Sequence, residues 1–190
     1  VSEQMINTTN GLKNVQDIEI DPFGRMWILD TGALNFYFSN EYTWNTPRLL
    51  IYDLTVSPPQ LLQEYSFPSD IAPEGDTFLN DLVIDVINDF AFISDSTGNG
   101  GLYAYDYNSN TARFWSDNTT QIEPDGVKFT IEDSGTYFIT TPSDGIALSV
   151  DVSTLYYCSL SGYNLYSIPT DLFRNFSVTD EQLHNSVTLH

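Results

Sequence analysis

Of the 190 residues, 26 are acidic and 6 basic, for a formal charge of −20, with one cysteine and two histidines. That balance argues against nucleic-acid backbones or anionic membranes as main partners, since both need clustered Lys and Arg. Hydrophobic residues make up 41% and aromatics 14%, yet no run approaches the ~20 apolar residues of a membrane span, so the chain reads as a folded, soluble, acidic domain.

The first apolar run is Asp17-Ile18-Glu19-Ile20-Asp21. It is followed by Met26-Trp27-Ile28-Leu29-Asp30, by Leu49-Leu50-Ile51-Tyr52-Asp53 and by a stretch over 61–67. Runs of β-branched and aromatic residues separated by Gly, Pro, Asn and Asp predict short strands. A second series opens 64 residues later with Asp81-Leu82-Val83-Ile84-Asp85 and continues at 91–95, 102–106 and 112–115. A third opens after another 64 residues with Gly145-Ile146-Ala147-Leu148-Ser149 and continues at 155–159 and 165–169, with no fourth run visible. Only 180–184, with Thr179 as a cap, hints at a short helix.

Three or four strands recurring at a fixed period are how propeller blades look in sequence. The fold class is all-β, a partial β-propeller with approximate blades at 15–67, 78–116 and 121–175. Closed propellers typically need ~4–8 blades, and blades bury their faces only against neighbours. The expectation is a fragment of a longer chain; the alternative is that another copy covers the open faces.

In such a fold the inner strands begin at one mouth of a central channel, which places Asp17, Asp81 and the Asp144-Gly145 step together. Converging carboxylates attract cations. A protonated amine would pair with them and stack on Trp27 or Phe92. Ca²⁺ is the alternative ligand, on Asp81 and Asp144 with the Asn80 amide oxygen, and no other cofactor is implied. The competing reading is structural: these side chains cap backbone N–H groups at strand starts and lock blades together.

No catalytic set emerges. Asp30 and Asp95 recur at one repeat position, which argues for turn chemistry over a carboxylate pair. Leu29-Asp30-Thr31-Gly32 matches an aspartic-protease fingerprint, but a second Asp-Thr-Gly copy is missing from the chain. Arg25 reads as a structural partner of a nearby Asp. Cys158 reads as a buried inert thiol, and His184 and His190 as part of a polar tail with no nucleophile to serve. Gly98-Asn99-Gly100-Gly101 reads as a hairpin turn. Sequons begin at Asn7, Asn118 and Asn175, which tilts the reading toward a secreted glycoprotein.

The runs Gly24-Arg25-Met26-Trp27-Ile28-Leu29-Asp30-Thr31-Gly32, Pro47-Arg48-Leu49-Leu50-Ile51-Tyr52-Asp53-Leu54, Phe78-Leu79-Asn80-Asp81-Leu82-Val83-Ile84-Asp85 and Ala91-Phe92-Ile93-Ser94-Asp95-Ser96 follow one another in order. With Gly145-Ile146-Ala147-Leu148-Ser149 and Leu165-Tyr166-Ser167-Ile168-Pro169-Thr170, they resemble the major royal jelly protein/Yellow family over about residues 15–190. The resemblance implies a six-bladed propeller of about twice this length, usually secreted. It implies mixed functions: nutritive or oligomer-forming proteins, pigmentation proteins, proposed dopachrome-converting enzymes and binders of biogenic amines. The family's cysteines before the Arg-x-Trp and Pro-x-Leu motifs are replaced here by Asp21-Pro22-Phe23-Gly24 and Asn45-Thr46-Pro47-Arg48.

The expected function is a secreted, non-enzymatic binder of small cationic ligands. A structural or self-assembling glycoprotein comes second. A metal-dependent lactonase-like hydrolase comes third, because Asn80-Asp81 and Asp144-Gly145 resemble steps of gluconolactonase-like propellers.

Overall fold

The computed structural model describes residues 11–34, 43–98 and 100–190. Three four-stranded antiparallel sheets follow one another along the chain, each strand pairing with the next. The first holds β1 (Val15–Ile20), β2 (Arg25–Asp30), β3 (Arg48–Asp53) and β4 (Gln60–Ser66). The second holds β5 (Leu79–Asp85), β6 (Phe90–Asp95), β7 (Gly101–Asp106) and β8 (Thr111–Trp115). A separate hairpin, β9 (Lys128–Ile131) with β10 (Gly135–Phe138), precedes the third sheet. That sheet comprises β11 (Ser143–Leu148), β12 (Thr154–Ser159), β13 (Leu165–Pro169) and β14 (Thr188–Leu189).

The turns repeat with the strands. After β1, Asp21 Oδ1 accepts the amides of Phe23 and Arg25 at 2.9 and 3.0 Å, and Gly24 takes a φ of +77°. After β5, Asp85 Oδ1 accepts the amides of Ile87 and Asn88 at 3.1 Å each, and Asp89 takes the left-handed position at 56°. An aspartate that ties down its own loop, then a residue able to adopt positive φ, is the chemistry such turns need.

The second sheet is covered on both faces, and the two-residue strand period sorts its side chains between two cores. Ala91, Ile93, Tyr103 and Tyr105 pack with Trp27, Leu29, Leu49, Ile51 and Phe67 of the first sheet and its flank. The intervening residues Phe92, Leu102 and Ala104, with Trp115, pack with Leu155, Tyr157 and Ile168 of the third sheet. Each such large side chain contributes about 1.5–3 kcal/mol by leaving water. Inner strand β1 lies against β5, and β5 against β11. The sheets are therefore arranged as successive propeller-like blades, the all-β architecture that the 64-residue period predicts.

The third sheet differs from the expected unit at 121–175. Residues 128–138 form the separate hairpin, the sheet opens at Ser143, and its last strand lies at 188–189. Between β13 and β14 stand two helices, α1 (Thr170–Arg174) and α2 (Asp180–His184). α2 carries the cap the sequence suggests: Thr179 Oγ1 accepts the Gln182 amide and the Gln182 side chain accepts the Thr179 amide. Phe173 and Leu183, one from each helix, are fully buried in the second core. The segment read as a polar tail is thus part of the sheet, and His190 returns its amide to the Leu165 carbonyl at 3.0 Å.

Candidate functional site

Each inner strand carries an irregularity at the same place. Its register shifts between Val15 and Asp17 in β1, between Leu79 and Leu82 in β5, and between Ser143 and Ile146 in β11. A bulge leaves a residue out of the ladder and re-aims its side chain. The residues left out of the ladder are Gln16 in β1, Asn80 and Asp81 in β5, and Asp144 and Gly145 in β11, while Asp17 closes its bulge by pairing with Leu29.

The structure brings these side chains into one connected set. Asp17 Oδ1 accepts its following amide, Ile18, at 2.7 Å, while Oδ2 crosses to the Leu82 amide of the next sheet at 2.9 Å. Asp81 repeats the pattern one sheet later, with Oδ1 on the Leu82 amide at 2.9 Å and Oδ2 on the Ile146 amide at 3.4 Å. Asn80 donates its side-chain amide to Asp144 Oδ1 at 2.7 Å, and Ser96 donates to the same oxygen at 3.2 Å. Ser94 Oγ links the sheets again, accepting the Asp81 amide and donating to the Asp144 carbonyl. Burial first, and the neighbouring Asp17 carboxylate second, push Asp81 up to about 6 against the pull of its two amides.

The two aromatics assigned to this mouth are elsewhere. Trp27 is fully buried between the first and second sheets, with Nε1 donating to Asp21 Oδ2 at 3.1 Å. Phe92 is fully buried in the other core, stacked on Phe173 at 5.6 Å. Both belong to strand interiors whose faces are covered by a neighbouring sheet, so their rings offer nothing to a ligand. The carboxylates of Asp81 and Asp144 are each engaged by donors, Asp81 by the Leu82 and Ile146 amides and Asp144 by Asn80 and Ser96. Among the described residues no group of three or more His, Cys, Asp or Glu side chains is arranged to hold a metal.

The remaining residues singled out by the sequence make structural bonds. Arg25 pairs with Asp21 at 2.5 Å, reaches Asp89 of the second sheet at 3.0 Å, and lies over the rings of Trp27 and Tyr107. Asp30 is buried against Arg48 at 2.9 Å and accepts the amides of Lys13 and Asn14. Arg174 pairs with Asp85 at 2.5 Å, fastening α1 to the second sheet. Burial pushes the half-buried Cys158 thiol up, away from thiolate. His184 contacts Asp117 at 2.6 Å and His190 contacts Ser167 at 2.8 Å.

Two cavities were not legible in the sequence. One of about 380 Å³ is lined by residues including Lys13, Trp44, Arg48, Glu64 and Glu74. The second, of about 270 Å³, draws Glu19 and Asp21 from the first sheet, Val83 and Ile84 from the second and Leu148 from the third. Burial, and then Asp17, raise Glu19 beside it. The pairing of Arg48 with Asp30 follows from strand register alone; the cavities need the packing of loops onto sheets.

Of the sequons, Asn118 and Asn175 are both exposed, one in a single-turn 3-10 segment and one closing α1. Asn7 lies outside the described residues.

A family model described as major royal jelly protein matches residues 13–189. Among curated proteins of Apis mellifera, the chain is 30% identical to major royal jelly protein 3 over 87% of its own length and 30% of that protein's. It is 29% identical to major royal jelly protein 1, over 92% of the chain and 41% of the relative. With major royal jelly protein 5 the identity is 32%, over 86% of the chain and 27% of the relative. The chain therefore spans well under half the length of each of these relatives.

Proposed function

The chain belongs to the major royal jelly protein family, and on that premise we propose that it forms part of an extracellular propeller protein that binds a small organic cation, such as a biogenic amine, without transforming it. One observation carries the reading: three successive inner strands bring Asp17, Asp81 and Asp144 into a single bonded set, and burial with the mutual repulsion of Asp17 and Asp81 holds Asp81 near 6. Their hydrogen bonds come from amides, Asn80 and Ser96, not from guanidinium or ammonium groups. Negative charge is left in surplus there, and a net charge of −20 adds to the field. Royal jelly, named in the relatives, is a secreted fluid, and the exposed sequons at Asn118 and Asn175 fit the same compartment.

Isothermal titration of the full chain with serotonin, dopamine and histamine tests this reading. Heat that weakens in Asp144→Asn supports it, and absence of heat with all three amines rejects it. Trp27 and Phe92, both buried in cores, supply no ring to such an amine.

A second reading rests on a different observation. Ile18 and Ile20 of β1 are 51% and 59% exposed, an apolar strip on the inner strand of the first sheet. Such a strip favours an assembling glycoprotein, and light scattering at rising concentration separates the two: a protein that stays monomeric leaves only the binder.

A further inference from the structure

Asp30 and Asp95 occupy the same place in successive sheets, the last residue of the second strand. In the first sheet the cross-strand partner of Asp30 is Arg48, whose guanidinium neutralises it at 2.9 Å. In the second sheet the partner of Asp95 is Gly101, which brings no charge. The third sheet ends its second strand with Ser159 and needs none. Asp95 is thus a carboxylate only 2% exposed that lacks the cation its counterpart has.

The oxygens around it are unevenly served. Asp95 Oδ1 accepts the amides of Phe78 and Thr97 at 2.9 and 3.1 Å. Oδ2 faces the Tyr103 hydroxyl at 3.3 Å, but that hydroxyl has one proton and a better acceptor in the Ile71 carbonyl at 2.9 Å. Thr77 Oγ1, in a residue only 1% exposed, lies near Tyr103 without reaching a hydrogen bond of ordinary geometry. These groups line one cavity of about 40 Å³ that the exposed Asp76 also borders.

We propose that this cavity is a site for a small hard cation, Ca²⁺ in the first place, held by the carboxylates of Asp95 and Asp76 with the hydroxyl oxygens of Thr77 and Tyr103. Two carboxylates balance a divalent charge, and every donor is oxygen, the ligand set that hard cations take. A volume of about 40 Å³ admits an ion with one or two waters to complete its shell. The ion does for the second sheet what Arg48 does for the first. It also ties residues 71–77, which run between the first two sheets, to β6 and β7. The site is separate from the Asp17, Asp81 and Asp144 set and does not depend on amine binding there.

The test uses the full chain, stripped with chelator and dialysed. Thermal unfolding and calorimetric titration are followed with CaCl₂, MgCl₂ and KCl in wild type, Asp76→Asn and Thr77→Val. Asp76 is exposed and Thr77→Val keeps its shape, so both variants retain the fold. The expected result is a Ca²⁺-dependent rise in Tm whose Kd weakens about tenfold or more in each variant. An unchanged Tm, an equal rise with KCl, or a rise that survives both substitutions overturns the site.

Discussion

Asp17 of the first sheet accepts the Leu82 amide of the second through Oδ2 at 2.9 Å, and Asp81 makes the equivalent bond to Ile146 of the third at 3.4 Å. Sixty-five residues separate donor from acceptor in both bonds. The same carboxylate therefore joins its own strand to the next, so the inner strands are fastened to one another by side chains where no ladder connects them. The repeat stops at the third sheet, where Gly145 stands in the position of Asp17 and Asp81.

Removing the Asp17 strap leaves the Leu82 amide with Asp81 Oδ1 as its acceptor and unfastens β1 from β5. Asp17→Ala is expected to lower stability by about 0.5–1.5 kcal/mol, and Asp17→Asn, which keeps an acceptor oxygen, by less. Urea unfolding followed by tryptophan fluorescence checks this; equal midpoints for wild type and Asp17→Ala would show that the inter-sheet bond carries no weight.

Arg25 is held between two sheets by Asp21 and Asp89 and covers Trp27. Arg25→Met strands the buried Asp21 charge, and about 3 kcal/mol should be lost. Asp21 is lowered from 3.8, with burial opposing and the bonds and charge of Arg25 overcoming it. Its stabilising contribution is present above 3.8 and disappears as pH falls through the lower folded value. The gap between wild type and variant should close in strong acid, as denaturant midpoints across pH will report.

Asp81 and Asp95 run the other way, each raised from 3.8 to about 6. Burial is the first cause in both, and the folded state binds the proton more tightly than the unfolded chain. Their ionisation opposes folding above about 6, and that cost vanishes below about 4. In chelator, Asp81→Asn should gain stability relative to wild type as pH rises from about 4 to about 7; a constant difference across that range counts against the raised value.

Trp27 and Phe92 are core residues. Each truncated to Ala should cost about 3–5 kcal/mol, whereas a ligand-lining ring would change binding heat at unchanged stability. Comparing Tm with amine titration for Phe92→Leu, a milder change, separates the two roles.

Glycosylation is checked directly on secreted material. Asn118→Gln and Asn175→Gln should each remove one glycan's mass from the intact protein, and identical masses before and after deglycosylation would exclude modification at both.

The strands of the first two sheets and the first three of the third were readable because each is a short apolar run bounded by turn residues, and blade order because the runs recur at 64 residues, whereas the hairpin of β9 and β10 falls outside that repeat. The gathering of Asp17, Asn80, Asp81 and Asp144 followed from that period as well. α2 showed its cap, whereas α1 gave too short an apolar signal to stand out. The fourth strand of the third sheet stayed hidden because two residues of β14 lie far along the chain from β13, and only burial of Phe173 and Leu183 brings them together.

Local composition and periodicity thus determined which segments extend, where they turn and which repeat positions carry a carboxylate. Tertiary packing decided which face of each strand is covered, placing Trp27 and Phe92 in cores. It also decided whether a carboxylate meets a guanidinium, as Asp30 does, or an oxygen-lined cavity, as Asp95 does. The physical reason is range: turn and strand preferences act over a few neighbouring residues, whereas desolvation and charge pairing depend on groups that meet only when the sheets close on one another.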